Sequence, residues 1–359
     1  MIETDTSFWR DFHGHAAQVD MFRRAISRDR LGQSYLFVGP SGIGKFLFAR
    51  KLATCLFCQN TTESELEACG NCPACHQMAA GTYPDYYEVG LPPGKNEIPV
   101  KAMVGDMDQR GRSGLCHDIM LTPMAGSRRI GIIDQVGRLN PVGANAFLKT
   151  LEEPPEGALL ILIAEQPRDV LPTIRSRCQI VSFQPLAEHD LAQILLTQEI
   201  ASTESEASEL ARMSDGSLEV ARRMADSELQ EMRKAIWEVF ARRPFDASGA
   251  GERLAKIAEQ AGDTAAQREA TLWMARFLAT YFGLVNRSLL GDDTIAPEPS
   301  HFGKRLLQAT GDESEALELL ADLTLRVGDV ADQIHLYVQP RICIEALFYD
   351  FANRLRREG

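Results

Sequence analysis

The sequence lacks any uninterrupted apolar run approaching the ~18 residues that span a membrane, and its first residues lack a basic segment followed by an apolar one. These absences predict a cytoplasmic protein with no membrane partner. Cationic charge is also scarce, because 38 Lys and Arg face 50 Asp and Glu for a net charge of −12. This balance argues against a protein that binds nucleic acid over its whole surface, although a local basic patch remains compatible with it.

The eight cysteines are unevenly distributed, and four of them lie within residues 58–75. One cysteine is followed by ten residues and then by the sequence CGNCPAC, in which two CxxC steps overlap. Four thiolates suffice for tetrahedral zinc in a structural site closed to water, whereas reduced thiols without metal are the alternative. The predicted zinc ligands are Cys58, Cys69, Cys72 and Cys75. The neighbouring Cys55 and His76 could substitute but are expected not to be ligands.

A glycine-rich turn follows the apolar run YLFV at residues 35–38. Gly39, four further residues and Gly44-Lys45 match the phosphate-loop pattern, in which backbone N–H groups surround phosphate oxygens and the lysine reaches the β- and γ-phosphates. The predicted nucleotide-binding residues of this loop are Gly39, Gly42, Gly44 and Lys45. The pattern ends in Ser or Thr, whose hydroxyl holds Mg²⁺, but Phe46 stands there. The sequence therefore leaves open whether ATP or ADP binds weakly or without Mg²⁺.

A second apolar run, residues 130–133, ends in Asp134. An acid at the end of a hydrophobic strand is the other half of phosphate-loop chemistry, where it holds Mg²⁺ directly or through water. Asp134 therefore joins the predicted nucleotide-binding residues. The next residue is Gln135, whose amide can orient a water molecule but cannot accept its proton as a carboxylate does.

Apolar runs alternate with helical segments over residues 1–185, and this alternation predicts a parallel α/β sheet. Beyond residue 185 only helical periodicity is found, interrupted by a weak linker at residues 242–252. The predicted fold is an α/β phosphate-loop domain with an inserted zinc knuckle, followed by all-α domains. The predicted boundaries are 1–184, with the zinc module at about 55–80, then 185–242 and 243–359.

Four segments, in this order, resemble the clamp-loader clade of the AAA+ superfamily, whose bacterial members are subunits of DNA polymerase III. They are GPSGIGK, CGNCPAC followed by YPDYY, ANAFLKTLEEPP, and IRSRC, and together they cover residues 12–185. The resemblance implies that an ATPase-like domain, a helical lid and a helical collar follow one another. It also implies a hetero-pentameric ring with gamma/tau and delta subunits, which uses ATP to place a sliding clamp on primer–template DNA.

The same resemblance implies a role for Arg177 in the IRSRC segment. In that family this arginine reaches across a subunit interface to the γ-phosphate bound by the neighbour. A trans arginine of this kind typically contributes roughly 10³–10⁵ in rate to phosphoryl transfer. The alternative is an arginine that only forms a salt bridge at the surface of its own chain.

Three departures from the motor subunits of the clade bear on function. Phe46 replaces the Mg²⁺-binding hydroxyl, and Gln135 replaces the usual catalytic glutamate. Glu219 stands where motor subunits carry an arginine that senses phosphate, and a carboxylate there repels the γ-phosphate. These departures favour the delta-prime class, a largely non-hydrolysing stator that supplies a trans arginine and collar contacts, with the subunit's own ATPase activity absent or weak.

Three other functions were weighed against this one. A gamma/tau-type ATPase motor would carry the three residues that are missing here. An unrelated phosphate-loop kinase would keep the Mg²⁺ hydroxyl and would need no zinc knuckle. A zinc-stabilised DNA-binding module is disfavoured by the acidic net charge.

Overall fold

The computed structural model describes residues 8–10, 12–92, 95–106, 108, 111–241, 245–292 and 295–356. The chain divides into two compact units, Met1–Arg222 and Arg223–Gly359. The division into three domains at 184 and 242 remains a prediction, and the second of these boundaries lies outside the described residues. Within the described ranges, no helix combines the length and the apolar character that crossing a membrane requires.

A five-stranded parallel sheet forms the centre of the first unit. Its strands are β1 Ser34–Val38, β2 Tyr86–Val89, β3 Arg129–Ile133, β4 Ala158–Ala164 and β5 Gln179–Ser182. Their order across the sheet is β2-β3-β4-β1-β5, and every pair is parallel. The sheet confirms the predicted parallel α/β class of the phosphate-loop domain. Because β1, β3 and β4 are buried along their whole length, they appear in the sequence as apolar runs, apart from Ser34 at the start of β1 and Arg129 at the start of β3.

Helices cover both faces of this sheet. They are α1 Ala16–Ser27, α2 Lys45–Phe57, α3 Pro73–Ala80, α4 Val100–Val104, α5 Leu115–Asp118, α6 Pro141–Glu152 and α7 Pro172–Arg175. After β5, α8 Glu188–Thr197 and α9 Glu204–Met213 pack on each other. Along β1, Phe37 packs in one apolar cluster with Phe48 of α2, whereas Leu36 packs in the other with Phe147 of α6. Successive strand side chains point to opposite faces, so one strand supplies both cores.

The YPDYY segment, which leads into β2, contains a buried carboxylate. Asp85 is fully buried and accepts hydrogen bonds from the backbone N–H groups of Met124, at 2.8 and 2.9 Å, and Ala125, at 2.7 Å. Its Oδ1 lies 3.3 Å from Nη2 of Arg129, whose side chain is 3% exposed. This pair fixes the loop that leads into β3, the strand that ends at Asp134.

We expect Asp85→Ala to lower the free energy of unfolding of the first unit by about 3–5 kcal/mol, because it leaves a buried guanidinium uncompensated. The matched control is Glu63→Ala, which breaks a half-exposed pair with Arg128 and should cost about 1 kcal/mol or less. Urea unfolding followed by far-UV circular dichroism measures both changes. Equal shifts in the two variants would contradict the prediction.

All regular structure within the described residues beyond 185 is helical, as the sequence predicts. The unit boundary falls inside α10 Leu218–Met224, and the second unit contains α11 Ser227–Ala241, α12 Ala247–Gln260, α13 Thr264–Leu289, α14 Pro297–Thr310, α15 Glu313–His335 and α16 Pro340–Arg356. Its core contains a group of aromatic rings: Phe240 stacks on Tyr281 at 4.9 Å and packs edge-on against Phe302 at 5.1 Å.

Candidate functional site

The four predicted zinc ligands converge on one point between α2 and α3. The Sγ atoms of Cys58, Cys69, Cys72 and Cys75 all lie within 4.8 Å of one another. Tetrahedral zinc with Zn–S bonds of about 2.3 Å requires S···S separations of about 3.8 Å, so small movements suffice to close the site. Four thiols and no carboxylate are a soft donor set, which fits zinc better than Mg²⁺ or Ca²⁺.

Backbone and side-chain N–H groups already point at these sulfurs. The backbone N–H of Cys69 donates to Cys58 Sγ, and that of Cys75 donates to Cys72 Sγ, each at 3.4 Å. Burial alone would raise the pKa of Cys58, but hydrogen bonds from Thr61, Cys69 and Asn60 bring it down to about 6. Donors to sulfur stabilise thiolates and orient them toward a metal. The cluster is therefore arranged to hold a cation.

The cysteine module is attached to the N-terminal segment and to α2. Trp9 is buried and donates its indole Nε1–H to the carbonyl of Leu66 at 2.8 Å. The backbone N–H of Phe8 donates to Glu67 Oε2 at 2.7 Å, and Lys51 donates to the carbonyl of Phe8, also at 2.7 Å. Ordering of the module is thus coupled to the packing of Trp9 against Phe48 of the first core.

The phosphate loop connects β1 to α2 as predicted, and Lys45 begins that helix. The lysine is buried, and its Nζ donates to the loop's own carbonyls, at 2.6 Å to Gly39 and 2.5 Å to Pro40. In the arrangement that binds nucleotide, the same ammonium group faces phosphate oxygens. Here the loop itself supplies the acceptors.

Acidic side chains surround this lysine. Burial lowers the pKa of Lys45, whereas the charges of Glu165, Asp134 and Glu219 act in the opposite direction. Burial also raises the pKa of Asp134, whose Oδ1 accepts the backbone N–H of Gln135 at 3.0 Å. Three carboxyl groups beside one ammonium give the site a negative balance, which disfavours a polyphosphate.

The segment that begins α10 lies directly on the phosphate loop. Ser41 Oγ donates to Glu219 Oε2 at 3.0 Å, and the backbone N–H of Leu218 donates to the carbonyl of Gly42, also at 3.0 Å. Gly42 has a φ of +70°, and a Cβ there would overlap Ser217 and Glu219. Glu219 thus binds the loop that its charge was predicted to keep free of phosphate.

Two residues near the loop were missed by the sequence analysis. Glu165 directly follows β4, and its carbonyl accepts the N–H of Gly39 at 3.1 Å. Since the carboxyl ends of parallel strands meet at one edge, its position after the run LLILIA was the available signal. His15 Nε2 donates to the carbonyl of Ile43 at 2.8 Å, and burial lowers the pKa of this imidazole. Nothing in its local sequence indicates that contact.

Arg177 lies at the amino-terminal ends of the strands, whereas the phosphate loop lies at their carboxyl-terminal ends. Arg177 precedes β5, which pairs with β1 in parallel from Gln179, opposite Tyr35, to Ser182, opposite Val38. The loop follows β1, and at ~3.3 Å per residue the stretch from Tyr35 to Gly39 spans roughly 13 Å. The predicted catalytic arginine and the predicted nucleotide-binding residues are therefore not brought together within this chain.

A separate cavity of about 620 Å³ opens between α11, α12 and α13 in the second unit, with Trp273 and Met232 in its wall. None of the predicted site residues line it.

The family match with known proteins lies within the first unit. A family model described as DNA polymerase III, delta subunit, matches residues 14–187. A DNA polymerase III delta-prime subunit of Pseudomonas aeruginosa is 35% identical over 222 residues, which are 62% of this chain and 64% of that protein. The delta-prime subunit of Bacillus subtilis is 29% identical over 236 residues, or 65% of this chain and 66% of that protein.

The chain thus spans just under two thirds of the length of these relatives. A crystal structure of a DNA polymerase III gamma subunit-related protein from Thermotoga maritima aligns with 94% of this chain at a TM-score of 0.40 and 14% identity, and all of that chain is covered. The sequence matches carry the comparison: residues 14–187 match the DNA polymerase III delta subunit family model, and over just under two thirds of its length this chain is similar to delta-prime subunits of DNA polymerase III.

Proposed function

We propose that this chain is a clamp-loader subunit of DNA polymerase III that acts as a largely non-hydrolysing stator. The observation that carries the proposal is the placement of Arg177 and Lys45 at opposite ends of the strands of one parallel sheet. An arginine at the amino-terminal ends of the strands does not reach a phosphate bound by the loop of its own chain. It is available to a nucleotide bound by a neighbouring subunit.

The state of the chain's own loop supports the same conclusion. Lys45 is engaged by Gly39 and Pro40, and Glu219 accepts a hydrogen bond from Ser41. Phe46 stands in place of the Mg²⁺-binding hydroxyl and packs against the core of the first unit. Nucleotide binding would have to break these contacts and then proceed without that metal ligand.

The remaining parts of the proposal rest on the similarity to DNA polymerase III delta-prime subunits. Gamma/tau and delta subunits are the proposed partners in a hetero-pentameric ring, with the sliding clamp and primer–template DNA met through the complex. Residues 185–242 are the proposed lid, and residues 243–359 the proposed collar. The proposed cofactor is one structural Zn²⁺ at the four-cysteine cluster, with ATP or ADP absent from the loop or weakly held.

We expect the isolated chain to show no ATP turnover above background in the presence of Mg²⁺ and primed DNA. The control is Lys45→Ala, because any turnover that survives in this variant comes from a contaminant. Turnover by the wild-type chain of ~1 s⁻¹ or more, an ordinary enzymatic rate, that disappears in Lys45→Ala would contradict the stator and favour a gamma/tau-like motor.

A further inference from the structure

Arg177 is held by three acceptors of its own chain. Its Nη2 donates to Glu152 Oε1 at 2.6 Å, and its Nη1 donates to the carbonyl of Thr173 at 2.8 Å and to Ser176 Oγ at 3.3 Å. The Arg177 side chain is 35% exposed and that of Glu152 49% exposed. The guanidinium is therefore oriented from one side while remaining open to solvent on the other.

A guanidinium has five N–H donors in a rigid plane. Three of those of Arg177 have acceptors within the described residues, which leaves two without one. Two N–H groups of one planar fork are what bidentate binding of a phosphate requires. The three acceptors hold the guanidinium plane of Arg177 and leave two of its N–H groups available to a phosphate.

Glu152 is the only charged acceptor among the three. It is the last residue of α6, which ends one residue before the pair Pro154-Pro155. This fixed helix end sets the position of its carboxylate. An ion pair this exposed contributes little to stability, so the consequence of the contact is expected in the orientation of Arg177 rather than in the fold.

We propose that Glu152 is a positioning residue for Arg177, which holds the guanidinium in the orientation used on a phosphate bound by the neighbouring subunit. This inference rests on the proposed function of Arg177. Ordering a long side chain in advance lowers the entropy lost when its remaining donors engage the reacting phosphate, and so favours the transition state.

The test uses the full chain reconstituted with its partner clamp-loader subunits, the clamp and primed DNA. Glu152→Ala should lower kcat at the site served by Arg177 about tenfold, the effect of one charge-assisted hydrogen bond. The KM for ATP should stay within about twofold, since the contact acts on the transition state. Glu152→Gln keeps an oxygen acceptor and should recover part of the loss. The matched control, Glu153→Ala, alters the next residue, which is also exposed, and should leave turnover unchanged.

A double-variant cycle separates positioning from a general structural effect. In an Arg177→Ala background, Glu152→Ala should have no further effect, because the two residues then act as one unit. An equal loss in both backgrounds would overturn the inference, as would faster turnover in Glu152→Ala, which would mean that the carboxylate competes with phosphate. If Arg177→Ala lowers turnover but Glu152→Ala does not, only this inference fails. If Arg177→Ala is without effect, the proposed function itself fails.

Discussion

Arg177→Ala is expected to lower ATP turnover at the neighbouring site by roughly 10³-fold or more, the scale seen when a trans arginine is removed from phosphoryl transfer. The effect should appear only in the assembled complex, because Arg177 and the chain's own phosphate loop lie at opposite ends of the strands. Steady-state ATP turnover by the whole complex should fall by the amount that this site contributes. Single-turnover hydrolysis in the reconstituted complex measures the loss directly.

The same segment supplies a matched control for this experiment. Arg175 is the last residue of α7 and donates to the carbonyl of Pro167 at 3.0 Å. Arg175→Ala should therefore change turnover little. Arg177→Lys keeps the charge but not the planar fork, so it should recover only part of the rate. Equal losses in the Arg175 and Arg177 variants would show that the segment is disturbed as a whole, and the specific role of Arg177 would fall.

Removal of zinc is the second change expected to have a large effect. Structural zinc contributes an apparent ~10–16 kcal/mol in small domains whose folding depends on it, so loss of the metal should unfold the module at 58–75. Trp9 reports this locally, because its indole donates to Leu66 inside the module. We expect a strong chelator, or Cys72→Ser, to shift Trp9 fluorescence to the red as the buried ring becomes hydrated.

Metal analysis of protein purified under reducing conditions should find about one zinc per chain, the stoichiometry of a single four-thiolate site. Cys116→Ser, which changes a cysteine outside the cluster, should retain the metal and the fluorescence of the wild type. Trp237→Phe and Trp273→Phe remove the two tryptophans of the second unit, so that the signal belongs to Trp9 alone. A chain with well under one zinc and an unshifted melting temperature would contradict the structural role.

Much of the first unit could be predicted because its determinants are local in the sequence. The buried strands β1, β3 and β4 are apolar after their first residues, Ser34 in β1 and Arg129 in β3, and the loop between β1 and α2 depends on glycines and a lysine at fixed spacing. The cysteine cluster was predictable for the same reason, since all four of its thiols lie within residues 58–75. The beginning of α2 at Lys45 follows from the same pattern.

The second unit was predicted less completely. Helical periodicity identified its helical character, but a periodic pattern does not say which helix packs on which. The contact of Phe240 with Tyr281 and Phe302 brings together residues from three helices. Such packing is decided by the fit of side chains in three dimensions rather than by spacing along the chain.

By itself, the sequence determined the fold class of the first unit, the cysteine cluster and the departures at Phe46, Gln135 and Glu219. Only the tertiary structure decided what those departures do. Glu219 meets Ser41 across 178 positions of the sequence, and Glu152 meets Arg177 across 25. Hydrogen bonds and charges act over a few ångströms of space. The contact of Glu219 with the phosphate loop and the orientation of Arg177 therefore depend on how the chain folds back on itself, which no local pattern records.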